Sequence, residues 1–317
     1  MPTRHITLRD DLRALPFLLP FLAVFALFIG WPLFYSIWIS LHEVTIYSDF
    51  YDLFGTMNFV GFENYRRIAT DPIFWWSVFL TFCYAGLTII PGMILSLALA
   101  LLLNRKLRGM GLLRSGFFLP NVFDVYVVGV IWLLLYNPQG GLVSAVLRLL
   151  GFTGTADAGV LSSPMLTLPA IALAMILKNA GFGMILFLTS LNNINESIFE
   201  AADVDGATPW QKLIHVTIPM LRPIIFFLGV TGTVGALNAF AEIFAMTDAT
   251  GGTSVPVTIP FTDTQMTFQS ARISGFYLYQ VFSASRYGEA AAMSFLLLLI
   301  AVSISGLAWV LTRPRTR

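Results

Sequence analysis

The sequence predicts an all-α, polytopic membrane protein with six transmembrane helices, and three observations carry that prediction. Of 317 residues, 57% are hydrophobic and 11% charged, too few polar groups to cover a soluble domain of this size. Six apolar runs reach the roughly 20 residues that a helix needs to cross a hydrocarbon core. Their approximate cores are Pro16 to Leu41, Phe74 to Leu103, Gly116 to Tyr136, Leu166 to Leu191, Ile224 to Met246 and Ala290 to Leu311. The third observation is that Lys and Arg gather in small clusters between these runs rather than along one polar face.

The first run follows Arg4, Arg9 and Arg13, as a secretory signal would. It is too long for one and shows no small-x-small cleavage site, so it reads as a retained anchor. Between runs one and two lies NFVGFENYRRIATDPIFWWSV, whose Trp75 and Trp76 fall where an interfacial belt is expected. After run three, turn formers at Asn137 to Gly141 precede a short amphipathic segment, Leu142 to Leu150, expected to lie along the surface. The connection from Thr247 to Glu289 is long and rich in Gly, Thr and Ser, the kind of loop that serves a function or is ordered by a partner. The chain therefore divides into 1–73, with the tail, first span and outer loop, then a five-span core at 74–312, and a short tail at 313–317.

Charge distribution orients the spans. With the N-terminus cytoplasmic, the inner segments hold Arg4, Arg9, Arg13, Arg105, Lys106, Arg108, Arg114, Lys212, Arg222, Arg313, Arg315 and Arg317. The outer loops hold only Arg66, Arg67, Arg148, Arg272 and Arg286, with Lys178 inside a span. Both termini are then cytoplasmic, and so is the polar stretch between runs four and five.

That stretch, EAADVDGATPWQKLIHVTIPMLRP from Glu200 to Pro223, reads as two short helices meeting at a bend. Asn193 or Asn195 can cap the first, and Gly206 suits the position just past its end. Thr208, Pro209 and Gln211 form a capping-box pattern with proline at the first helical position, and Pro219 and Pro223 oppose simple continuation.

Polar groups inside apolar spans are functional candidates because burying them is costly. Asp124 and Lys178 are the clearest. Counted along straight helices they lie roughly 14 Å and roughly 18 Å deep, close enough in level to pair, either structurally or along a substrate path. Asn179, Asn238 and Glu242 are weaker candidates, Glu242 being expected as a solvated carboxylate near the outer mouth.

Catalytic chemistry has no foothold. None of the three lysines follows a glycine, so no phosphate-binding loop of the form G-x-x-x-x-G-K-[ST] exists, and any use of ATP belongs to another polypeptide. His5, His42 and His215 are too scattered for a zinc helix, and no nucleophile elbow occurs. The single cysteine, Cys83, excludes an internal disulfide and reads as a packed hydrophobe. A net charge of +1 without a basic face gives no reason for nucleic-acid binding, and no metal or other cofactor is expected in this chain.

The Glu200–Pro223 stretch resembles the EAA loop of binding-protein-dependent ABC importer permeases. Glu200, Ala201, Ala202, Asp205, Gly206 and Ala207 match its first half, and Leu213, Val216, Ile218, Pro219 and Pro223 its second. FVGFENYRR, DPIFW, RGMGLLRSGFFLP, YNPQGG and GFGMILFLTSL extend the resemblance over most of the chain, toward the carbohydrate-importer branch of maltose and glycerol-phosphate type. The resemblance implies a MetI-like permease fold at the inner membrane and a loop that docks on a separate ATP-binding cassette subunit. It also implies a second, similar permease chain, an extracytoplasmic solute-binding protein, and a carbohydrate-like small-molecule cargo. Glu200 would then meet a basic partner group and Gly206 would permit the close turn. The sequence departs from the family after run five, where the usual Thr-Gly-Gly-Gly-Pro turn is replaced by a longer segment before FYLYQVF. Residues Gly252 to Ile273 are therefore expected to shape the surface that receives the binding protein. The rival reading is a secondary transporter driven by an ion gradient, which favours repeated halves with broken spans in matching positions. No such symmetry is visible. A non-transporting scaffold would have no need of a buried Asp124 and Lys178.

Overall fold

A computed structural model describes residues 8–44, 48, 57–104, 109–258 and 265–312. Of the residues that set the topology, Arg4, Arg105, Lys106, Arg108, Arg313, Arg315 and Arg317 lie outside these, as do the side chains of Arg9 and Arg13 and residues 259–264 of the long loop. The chain forms two compact units, 1–70 with 280–296 and 71–279 with 297–317.

In the first unit, α1 (Leu8–Phe25) and α2 (Trp31–Ser40) are joined by a π-helical turn at Ala26–Gly30. Pro32 explains the widened turn, since it has no N–H for the carbonyl of Phe28 and its ring crowds that carbonyl. From Phe17 to Ser40 the segment is long and apolar enough to cross a membrane, and its large side chains, Phe17 at 87% exposure among them, face outward. A two-residue ribbon follows, β1 (His42–Glu43) against β2 (Asn58–Phe59), and then α3 (Glu63–Ala69). Asn64 ties these together by donating to the carbonyls of Ser40 and His42, both at 2.9 Å. Gly288 lies so close to the His42 carbonyl and Asn64 that no Cβ fits there. Arg66 and Arg67 bracket the Glu63 carboxylate at 3.0 and 3.4 Å, and they hold its pKa below the ordinary carboxylate range.

The second unit begins with α4 (Pro72–Leu103), capped by Asp71, whose carboxylate accepts from the Ile73 N–H at 2.9 Å. The expected third span is not one helix. It is α5 (Met110–Val122) and α6 (Val125–Leu135), which meet at 98°. Pro120 weakens the last turn of α5, Phe123 and Asp124 run extended, and the Asp124 side chain starts α6 afresh by accepting from the Tyr126 N–H at 2.8 Å. Two short helices, α7 (Leu142–Leu149) and α8 (Thr153–Ala158), are joined by an Arg148–Asp157 ion pair at 2.9 Å.

The axis of this unit is α9 (Thr167–Asn192), rich in buried Ala and Gly. Small residues let neighbouring backbones approach, which is how helices pack without a hydrophobic drive in lipid. Gly181 lies on the Phe117 backbone of α5, and Gly183 faces Ser96 of α4, whose hydroxyl donates to the Ala180 carbonyl at 3.1 Å.

Beyond α9 come α10 (Glu196–Val204), α11 (Pro209–Lys212), α12 (Ile218–Met220) and α13 (Arg222–Leu237). The expected fifth span also breaks. After α13 the chain turns at 238–240 and resumes as α14 (Ala241–Met246), which packs on α6 where Gly129 leaves only 2.7 Å between its hypothetical Cβ and Ala245. The break is satisfied by neighbours, for Ser274 donates its hydroxyl to the Leu237 carbonyl at 3.2 Å while its N–H donates to Thr81 at 2.8 Å. A hairpin of β3 (Ser254–Thr258) and β4 (Gln265–Gln269), α15 (Ser274–Ser283) and α16 (Tyr287–Thr312) complete the chain. Among the described residues four helices are long and apolar enough to span, and counting each bent pair, α5 with α6 and Pro209–Met220 with α13, as one span gives six.

Candidate functional site

Two features stand out in the second unit, a rigid polar loop and a cavity. The loop is held by three local devices. Asn195 starts α10 by accepting from the Ser197 N–H at 3.1 Å. Its end is a Schellman turn, with Gly206 at φ +73°, the Gly206 N–H on the Asp203 carbonyl at 3.0 Å and the Ala207 N–H on the Ala202 carbonyl at 2.9 Å. Next comes the complete capping box of α11. The Gln211 N–H donates to the Thr208 hydroxyl at 3.3 Å and the Thr208 N–H to the Gln211 side chain at 2.7 Å. Lys212 pairs with Asp203 and so clamps α11 to α10.

A π-helical turn at Leu213–Thr217 then precedes Pro219, for the same reason as at Pro32, and α13 leaves at 65° to the preceding segment. Leu221 at the corner is 1% exposed and packs with Ala100, Leu103, Met184, Phe187, Leu188 and Leu191. The loop is thus bolted to the ends of α4 and α9. Its other face is open. No residue of α10 is buried, Val204 and Trp210 are 89% and 68% exposed, and Glu200 makes no ion pair among the described residues.

The cavity, about 600 Å³, runs along α4 from Tyr84 to Ser96 and is closed by α9, α13 and the start of α14. Asn179, Asn238 and Glu242 all line it, so three of the five sequence-selected polar residues meet in one place. Glu242 is not the solvated carboxylate that distance along a straight helix implies. The break at 238–240 folds it inward, where it is 8% exposed and accepts from the Tyr84 hydroxyl at 2.9 Å. Asn179 accepts from Asn121 at 3.3 Å, and Asn238 donates to the Val234 carbonyl at 2.9 Å.

The expected direct pair of Asp124 and Lys178 is not formed. Asp124 is exposed at the α5–α6 corner, its carboxylate engaged as a helix cap, whereas Lys178 is 6% exposed within α9. No carboxylate among the described residues lies within ion-pair distance of the Lys178 ammonium. Tyr84, Thr88, Phe182, Thr231 and Phe240 also line the cavity. Sequence reading missed them because single hydroxyls and rings inside apolar runs look like packing.

At the far end of the unit, Trp76 packs against Phe268 of the hairpin with ring centroids 5.1 Å apart and planes tilted by 39°. Beside it Arg272 lies over the Tyr277 ring at 5.8 Å, and Tyr277 donates to Asp71. Burial lowers the Arg272 pKa from the ordinary guanidinium range, partly offset by Tyr277 and Asp71.

Broken spans around a largely apolar cavity with a few polar groups, linked by a buried corner to a rigid loop with an open apolar face, define a membrane-spanning solute permease. No family model matches the sequence. The chain is 31% identical over 244 residues to the trehalose/maltose transport system permease protein of Thermococcus litoralis, covering 76% of this chain and 79% of that one. It is 32% identical over 244 residues to the lactose transport system permease protein of Rhizobium radiobacter, covering 76% and 78%. In fold it matches a chain of a bacterial alginate ABC transporter, crystallised with an alginate pentasaccharide-bound periplasmic protein, with a TM-score of 0.74, 22% identity and coverage of 96% and 95%. The chain belongs to the permease subunits of binding-protein-dependent ABC importers, in their carbohydrate branch.

Proposed function

We propose that this chain forms one half of the translocation path of an importer for a sugar or sugar derivative, with ATP hydrolysed on separate cassette subunits that dock on the Glu200–Pro223 loop. The observation that carries the reading is the loop itself, prefolded by its caps, anchored through Leu221 and open on its apolar side. Glu200, Ala201, Ala202, Asp205, Gly206 and Ala207 present the docking face, and Leu213, Ile218 and Pro219 pass its motion to α13. Rigid helices transmit a push better than a flexible linker, because little of the motion is lost to bending.

Asn179, Asn238 and Glu242 serve the cargo directly, with Phe182 and Phe240 offering faces for the apolar side of a sugar ring. Asp124 and Lys178 act nearby, Asp124 at a corner that can flex and Lys178 buried within α9. A second permease chain completes the path, so that the two halves rock about a central cavity. An extracytoplasmic binding protein delivers the solute to a surface that includes the hairpin. Both termini and the loop lie on the cytoplasmic side of the inner membrane, as the distribution of basic residues directs.

The test uses the complete importer in vesicles. Uptake continues when ion gradients are collapsed and stops when ATP is depleted; the opposite pattern rejects the proposal.

A further inference from the structure

The cavity wall has one charge. Among its described lining residues Glu242 is the only carboxylate, and there is no Lys, Arg or His. One oxygen of Glu242 accepts from Tyr84 at 2.9 Å, and among the described residues nothing donates to the other. That oxygen is an acceptor for a pair of sugar hydroxyls, at a wall where Asn179, Asn238, Thr88 and Thr231 supply neutral polar groups. Lys178 does not offer its ammonium to a ligand here, since it is 6% exposed within α9 and is not part of the wall.

We propose that this half of the path selects by charge, accepting neutral or amine-bearing saccharides and excluding those with phosphate, sulfonate or uronate groups, with Glu242 as the discriminating residue. The inference rests on the carbohydrate reading above and narrows it. An anionic cargo must bring a second negative charge beside a carboxylate that is itself only 8% exposed, and no cation on this wall compensates it. A neutral saccharide meets no such penalty, and its hydroxyls donate to the oxygen that Tyr84 leaves open. An amino sugar gains an attraction as well.

The experiment uses the detergent-solubilised importer complex without binding protein, so that the permease alone chooses. Maltose, lactose and trehalose are each compared with their 6-phosphates by saturation-transfer NMR. The wild-type complex is expected to bind the neutral member about a hundredfold more tightly than its phosphate. Glu242→Gln, which keeps size and shape, reduces that ratio by about tenfold or more, whereas Tyr84→Phe, which keeps the carboxylate, retains it. Equal affinity of wild type for a sugar and its phosphate overturns the charge inference while leaving the carbohydrate reading intact. Equal loss of discrimination in Tyr84→Phe removes Glu242 from the role. Failure to bind any member of either set overturns the carbohydrate reading itself.

Discussion

Gly206 allows the docking role of the loop to be separated from its folding. Its φ of +73° lies in the left-handed region, and a Cβ built there meets nothing of this chain within 4 Å. Any side chain at 206 therefore costs the permease only backbone strain, about 1–2 kcal/mol for an ordinary residue and less for asparagine. The bulk itself projects away from the protein, toward whatever docks there. Gly206→Asn and Gly206→Leu are compared by thermal unfolding of the permease, by co-purification of the cassette subunit and by uptake. Both should leave the permease folded, with Leu lowering stability by about 1–2 kcal/mol. Leu should weaken cassette binding by about tenfold, or ~1.4 kcal/mol, and lower uptake accordingly, with Asn falling between Leu and wild type. A Leu variant that loses the expected stability yet binds the cassette and transports as wild type would refute the docking assignment.

Three further outcomes follow from the packing. Gly181→Ala forces a Cβ onto the Phe117 carbonyl and to within 2.7 Å of the Phe118 Cα, and should cost about 1–3 kcal/mol of thermal stability, whereas Gly86→Ala, with open space around it, should cost nothing measurable. Leu221→Ala empties a 1% exposed corner position, should cost about 2–5 kcal/mol, and should leave ATP hydrolysis running while uptake falls, since the lever is loosened but its docking face is not. Replacing 255–267 with a short Gly-Ser turn should weaken capture of the binding protein, measured by co-sedimentation, without changing cassette association. The replacement stops short of the whole 252–273 segment because Phe268, Ala271 and Ile273 are buried at 3%, 0% and 0% exposure, and removing them would damage the core.

The loop was legible almost residue by residue because caps and turns are local chemistry. Asn195, Gly206, Thr208 and Gln211 each act within a few residues of themselves, so the pattern in the sequence is the structure. Membrane spans were legible for the same reason, since apolar length is a one-dimensional property; α4, α9 and α16 fall within a few residues of the apolar runs. The breaks at 123–124 and 238–240 were not. Hydropathy is indifferent to a corner, and the groups that satisfy the second break, Thr81 and Ser274, are distant in sequence. Those corners also decide the site. Depth counted along a straight helix puts Asp124 opposite Lys178 and Glu242 at the mouth, whereas the 98° turn exposes Asp124 and the break at 238–240 buries Glu242 against Tyr84. The hairpin at 254–269 was read only as a long polar loop, because its pairing partners are spread across the loop and its anchor, Trp76, looked like an interfacial belt residue.

The central claim is that closure of the cassette subunits reaches the cavity through the Glu200–Pro223 loop. Asn238 is exposed to the cavity and Cys83 is the single native cysteine, so Asn238→Cys in a Cys83→Ala background places one reporter on the path. The measurement is its rate of reaction with a membrane-impermeant thiol reagent in the reconstituted importer, with and without ATP. The rate should change on adding ATP when Gly206 is present and cease to respond when Gly206→Leu is introduced. An ATP response of the same size in both would contradict the account.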